Sequence, residues 1–233
     1  DFRVIGIKVP NRFVSASTVI ASAGCMMGCN FCSTSAFFGG KGKVINFLKT
    51  GEELYRVMEA AEASNNVKGF SIMDENFLLQ KERAVELMKL MQKGGKSWTI
   101  SIFSSANAIK LYSMDELIEM GVTVIWLGLE SPGATYAKLE GSDTMLLCRK
   151  LREHGITVLG STIIGLEHHT PENIMGEIEH AAAHETDFHQ FMLYTPVPGT
   201  PLYREMLEQG RLLDVDLADI HGQYDHQSLL DPD

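Results

Sequence analysis

Only four cysteines occur in the 233 residues. That is too few to staple a chain of this length, and no leader-like apolar stretch precedes them, which argues against a secreted disulfide framework. No apolar run approaches the roughly 20 residues needed to cross a bilayer, so a chain without a transmembrane segment is expected. Lys/Arg clusters are also absent, and the formal net charge of −10 argues against nucleic acid as the main partner, because phosphate binding needs a basic surface. There is no HExxH pattern and no second CxxC or His-x-His pair, the usual means of closing a zinc site. What is present is a composition of 45% hydrophobic and 21% charged residues. It suits one well-cored domain, provided the fold is of the barrel type that runs long.

Three of the four cysteines are bunched as Cys25-Met-Met-Gly-Cys29-Asn-Phe-Cys32. Thiolates at this spacing can converge on one soft metal centre, and a set of three leaves a four-iron cube with one iron lacking a protein ligand. An electron-carrying ferredoxin would need a fourth cysteine nearby, and a structural zinc site normally closes with four ligands. Gly24 and Gly28 each precede a cysteine, where a backbone curling around a metal centre benefits from access to positive φ. Cys148 sits in a helical pattern as a small buried apolar residue, and Met26 and Met27 read as soft apolar cover for the cysteine loop.

Short β-branched runs at 15–21, 67–73, 98–103, 123–128, 156–164 and 188–193 alternate with helical stretches at 52–63, 82–93 and 143–154 and a short helix after Ser113. Thr50 with Glu53 and Ser113 with Glu116 form capping-box patterns, and Thr170-Pro171 reads as an N-cap followed by a first-turn proline. Six such units predict an α/β fold, a partial (β/α)6 parallel barrel of TIM-barrel type. In such an array the active site lies at the carboxyl ends of the strands. Those ends here are the cysteine loop, Asp74-Glu75-Asn76, Ser104-Ser105, Glu130-Ser131, Glu167 and the Tyr194 segment. Carboxylates stand at three of them, which points to an enzyme.

The cysteine spacing resembles the CxxxCxxC signature of the radical SAM superfamily, and Phe31 matches the aromatic residue that usually precedes the third cysteine. The resemblance continues through Asp74-Glu75-Asn76-Phe77, similar to an acidic element of the cobalamin-binding radical SAM branch, through Gly128-Leu-Glu-Ser131, Ile163-Ile-Gly-Leu-Glu167 and Pro196-Val-Pro-Gly-Thr-Pro-Leu-Tyr203. It implies that Cys25, Cys29 and Cys32 hold a [4Fe-4S] cluster whose fourth iron is chelated by S-adenosylmethionine (SAM). Reductive cleavage of SAM would yield a 5′-deoxyadenosyl radical. It further implies cofactor contacts from Phe31, Asp74, Glu75, Ser105, Glu130 and the backbone at Ile164, with no protein group required as a catalytic base. The chain departs from the family pattern at His168-His169-Thr170, which stands where relatives carry Pro-Gly-Glu-Thr. It departs again at Ser104-Ser105, where many relatives place an arginine.

The expected partners are a small-molecule substrate and an electron donor such as flavodoxin or ferredoxin. Cobalamin would sit in a domain outside this chain, and methyl transfer or ring closure are the reactions that this branch suggests. Free thiols and an oxygen-sensitive cluster imply a cytoplasmic location. Residues 1–13 read as a linker from a missing N-terminal domain, 14–210 as the core and 211–233 as a C-terminal extension; the absence of an initiator Met fits a fragment. His168, His169, His180 and His184 read as surface residues, and Tyr194 as a residue of the site. The competing readings are a SAM-only radical enzyme that needs no cobalamin and a non-catalytic iron–sulfur or zinc binding module.

Overall fold

The computed structural model describes residues 16–131 and 143–213. Six parallel strands carry the fold: β1 (Ala16–Val19), β4 (Gly69–Ile72), β5 (Thr99–Ser104), β6 (Val122–Gly128), β7 (Thr157–Ile164) and β8 (Phe188–Leu193), hydrogen-bonded in that order. Spatial order equal to chain order is what successive right-handed crossovers produce. The crossovers are α2 (Gly51–Asn65), α3 (Lys81–Lys93), α5 (Met114–Glu119), α6 (Thr144–Glu153) and α7 (Ile174–Ala182), with α4 (Ala106–Ile109) a single turn before α5. This is the expected six-unit partial barrel. The calls for residues 1–13, Ser15, Pro132 and 214–233 lie outside the described residues.

The expectation missed a second, two-stranded sheet. β2 (Ser22–Cys25) runs antiparallel to β3 (Lys43–Asn46), with Cys25 opposite Lys43, and α1 (Ser33–Phe37) lies between them. It also missed α8 (Pro201–Glu208), which follows β8.

Side chains from β4, β5, α2 and α3 make the densest part of the core. Phe70, Trp98, Ile72, Ile100, Ile102, Leu54, Met58, Leu87 and Met91 are all essentially buried, each contributing roughly 1.5–3 kcal/mol of burial. Trp98 packs against Phe70 and Tyr55 at centroid distances of 5.3 and 5.2 Å. A separate cluster of Ile163, Leu166, Tyr194, Leu202 and Met206 lies at the end of the barrel next to the cysteine loop, with Phe31 packed against it.

Both capping boxes form, at Thr50/Glu53 and Ser113/Glu116. Thr170 does not cap a helix. Its N–H donates to Asn173 Oδ1 at 2.7 Å, Asn173 Nδ2 donates to His168 O at 2.8 Å, and this local turn delays α7 to Ile174. His184, read as a surface residue, is 2% exposed. Its Nδ1–H donates to His180 O at 3.0 Å and its Nε2 meets Thr144 Oγ1 at 2.8 Å. His189 bridges Thr186 and Thr162 in the same manner.

Burial pushes the His184 and His189 pKa values below the ordinary imidazole value. The unfolded chain therefore takes up protons that the folded chain refuses, and stability falls as pH drops through the ordinary histidine range. We expect the urea midpoint to fall between about pH 7.5 and about pH 5.5, with His184→Asn losing less over that interval than the parent chain.

Candidate active site

Cys25 ends β2, and the loop from Met26 to Phe31 returns the chain so that Cys32 caps α1. Gly24 (φ +91°), inside β2, and Gly28 (φ +73°), in the loop, both take left-handed φ. A Cβ on Gly24 would lie 2.3 Å from Lys43 O, and one on Gly28 would lie 2.5 Å from Lys41 Cβ, so both positions require glycine for space as well as for conformation. Cys25 Sγ accepts the Met27 N–H, and Cys32 Sγ accepts the Ser35 N–H, each at 3.5 Å. The donor set is soft, half-buried and grouped on one loop, and it fits an iron–sulfur cluster held by Cys25, Cys29 and Cys32.

The base of this loop is fixed by a buried ion pair. Asp74 and Arg83 side chains are 2% and 1% exposed and bonded to each other. Asp74 Oδ1 also accepts the Ser22 N–H at 2.7 Å, and Arg83 Nη1 donates to Leu48 O at 3.1 Å. Ser22 opens β2 and Leu48 follows β3, so the pair holds both legs of the ribbon that delivers Cys25. Phe77 covers the guanidinium, 5.5 Å from its ring centroid. The Asp74-Glu75-Asn76-Phe77 run therefore divides its labour: the outer two residues build the clamp, and the inner two reach the cavity.

That cavity, about 530 Å³, opens at the carboxyl ends of the strands. Its walls include Cys25, Cys29, Cys32, Phe31, Glu75, Ser105 and Glu130, seven of the residues singled out from sequence. Asn76 Nδ2 donates to Ser105 Oγ at 2.7 Å, and Ser105 Oγ donates to Asn107 Oδ1 at 2.5 Å, so the hydroxyl is already engaged. Tyr194 lines the wall with its ring edge to face against Phe31, centroids 5.9 Å apart, and Asn30 Nδ2 meets its hydroxyl at 3.5 Å. The Leu202 N–H donates to Asn30 O at 3.1 Å, tying α8 to the cysteine loop. Phe103 and Trp126, stacked at 5.0 Å on neighbouring strands, form the apolar wall below.

One expected contact is corrected. Asp74 does not line the cavity, because its oxygens are committed to Arg83 and Ser22. The contact expected at Ile164 is a main-chain one; the neighbouring Ile163 side chain lines the cavity, and Ile164 O accepts the Tyr194 N–H at 2.8 Å. His169 is not a surface residue but 1% exposed. Sequence reasoning missed Arg83, although a charge at a core-facing position of α3, four residues before buried Leu87, was a readable sign. It also missed Phe103 and Trp126, which carry no chemical signature without the fold, and gave no role to Asn76 and Ser131, which it had placed at the strand ends.

Residues 19–181 match the model of the radical SAM superfamily. The chain belongs to the radical SAM superfamily. It is 28% identical over 210 residues to an uncharacterised methyltransferase of Pyrococcus horikoshii, covering 86% of this chain and 44% of that protein. It is 27% identical over 210 residues to the bacteriochlorophyllide d C-12(1)-methyltransferase of Chlorobaculum tepidum, covering 87% and 45%. The chain thus spans less than half the length of these relatives. Among solved structures, the radical SAM methyltransferase TsrM from Kitasatospora setae, with cobalamin and a [4Fe-4S] cluster bound, superposes with a TM-score of 0.69 at 20% identity. The alignment covers 82% of this chain and 36% of that one.

Two outcomes follow for the metal-free protein. Burial pushes the Cys148 thiol up to about 12, so iodoacetamide at neutral pH should alkylate Cys25, Cys29 and Cys32 and spare Cys148 until the chain is denatured, as read by mass spectrometry. Asp74→Asn leaves the Arg83 charge buried without its counter-ion, and should lower the unfolding free energy in urea by about 3–5 kcal/mol.

Proposed function

We propose that residues 14–210 are the core of an enzyme that holds a [4Fe-4S] cluster on Cys25, Cys29 and Cys32 and binds SAM in the adjoining cavity. The observation that carries this reading is the sharing of one cavity by the three thiols with Glu75 and Glu130. A structural metal site has no use for two acidic groups facing its thiols, whereas an amino acid cofactor offers an ammonium and ribose hydroxyls for them to bind. When bound, the cluster supplies the electron that cleaves the SAM carbon–sulfur bond and starts radical chemistry on the substrate.

The chain's own residues do the rest. Glu75 is the acceptor for the amino group, and Asp74 positions it through the clamp. Glu130 accepts from the methionyl or ribose groups. Phe31, held by Tyr194, closes the wall beside the third cysteine. Ser105 and the main chain at Ile164 complete the surround, while Phe103 and Trp126 keep water from the deeper cavity. Relatives that are methyltransferases, and the cobalamin named with TsrM, support a methyl transfer in which cobalamin is carried outside this chain. Relatives named as anaerobic magnesium-protoporphyrin IX monomethyl ester cyclases support ring closure as the second reaction type. The substrate is a small molecule. The electron comes from a flavodoxin- or ferredoxin-type donor in a reducing cytoplasm.

The test is anaerobic iron reconstitution followed by EPR of the dithionite-reduced protein with and without SAM. A [4Fe-4S]+ signal that shifts on adding SAM and is lost in Cys29→Ala is expected; a cluster indifferent to SAM would sink the proposal. Glu130→Gln should weaken SAM binding about 10-fold or more, the scale of a hydrogen bond to a charged group.

A further inference from the structure

Glu130 has φ +54°, a left-handed conformation that a glutamate adopts only when its surroundings impose it. On one side Leu129 and Glu130 both donate their N–H to Ser161 O, at 2.8 and 3.3 Å. On the other side stands Ser131, 2% exposed, whose hydroxyl is the hub of a side-chain network. Ser131 Oγ donates to Glu177 Oε2 at 2.5 Å and meets His169 Nε2 at 3.1 Å and His168 Nε2 at 3.0 Å. One hydroxyl proton and two lone pairs are thereby all used. The second nitrogen of His169 is used as well: Gly165 N–H donates to His169 Nδ1 at 3.0 Å. The neutral ring thus takes the tautomer with its proton on Nε2, and it bridges the exits of β6 and β7.

His168, His169 and Glu177 bring their ligand atoms within 4.8 Å of one another, as a cation site would. The tautomer speaks against one. A metal on Nε2 would require the ring proton on Nδ1, where it would face the Gly165 N–H head-on.

We infer that His169 is a positioning residue for the cofactor site: its neutral imidazole locks Ser131 and Gly165, and so holds Glu130 turned into the cavity. The inference rests on the reading that Glu130 contacts SAM. Protonation puts a second hydrogen on Nδ1, opposes the Gly165 N–H and releases the lock. The charged and titratable groups that bear on the ring are His168, beside it in the loop with ring centroids 4.5 Å apart, and Glu177 from α7, 3.6 Å from Nε2. Burial first, and His168 second, push the His169 pKa below the ordinary imidazole value, with Glu177 opposing them. The lock is therefore whole at neutral pH and fails on acidification.

The test measures SAM dissociation constants of the reconstituted holoprotein by equilibrium dialysis, from about pH 8 down to about pH 5.5, below the ordinary histidine value, with iron content assayed in parallel. The parent protein should bind with constant affinity near pH 8 and lose up to about 10-fold per pH unit once His169 titrates. His169→Gln should bind more weakly at pH 8 and lack that step, at unchanged iron content. Glu177→Gln keeps an acceptor for Ser131 but removes the charge that favours the protonated ring, so its step should move to lower pH; it serves where His169→Gln does not fold. A step of equal size and position in both variants, or none in the parent, overturns the inference. Stoichiometric zinc that restores affinity at low pH would replace it with a metal site. Failure of the parent to bind SAM at pH 8 with its cluster intact overturns the underlying SAM reading instead.

Discussion

The ion pair between Asp74 and Arg83 is the constraint on which the site depends. Two opposite charges taken out of water gain little by themselves, because desolvation nearly cancels their attraction. What they gain here is geometry. Each partner keeps one further hydrogen bond, and those two bonds reach the two legs of the β2–β3 ribbon, at Ser22 and Leu48. A four-residue ribbon that ends in Cys25 has almost no stability of its own. The pair converts it into an extension of the barrel, with the cysteine loop fixed relative to β4 and therefore relative to Glu75.

The same logic recurs on the opposite wall. The exits of β6 and β7 are joined by hydrogen bonds from Ser131 and His169, and α8 is joined to the cysteine loop through Leu202 and Asn30. The two carboxylates that line the cavity, Glu75 and Glu130, are backed in the chain by groups that do not line it, Asp74 behind one and Ser131 behind the other. Both walls of the cavity are therefore held by hydrogen bonds that join separate elements.

Much of this was legible in the sequence. Cysteine spacing, six β-branched runs, two capping boxes and the glycines beside the cysteines each carry a local physical signal, and the sheet order followed from the alternation of strands and helices. The ribbon was not legible, because its strands are only four residues long, too short to show a periodicity, and β2 has no β-branched or aromatic residue. The role of Asp74 was misjudged for a different reason. Asp74 and Glu75 are chemically equivalent in sequence, and only strand alternation together with a core-facing arginine decides which one enters the cavity. His169 and His184 were misjudged because burial of a histidine depends on partners 38 and 40 residues away.

The six strands form an open sheet whose described edges are β1 on one side and β8 on the other. A closed barrel admits a guest only through its mouth and limits it to the enclosed volume. An open one has a described edge on each side, so the width of the cavity of about 530 Å³ is set by the cysteine loop and the segment 194–197 lying across the strand ends, and not by strand number alone.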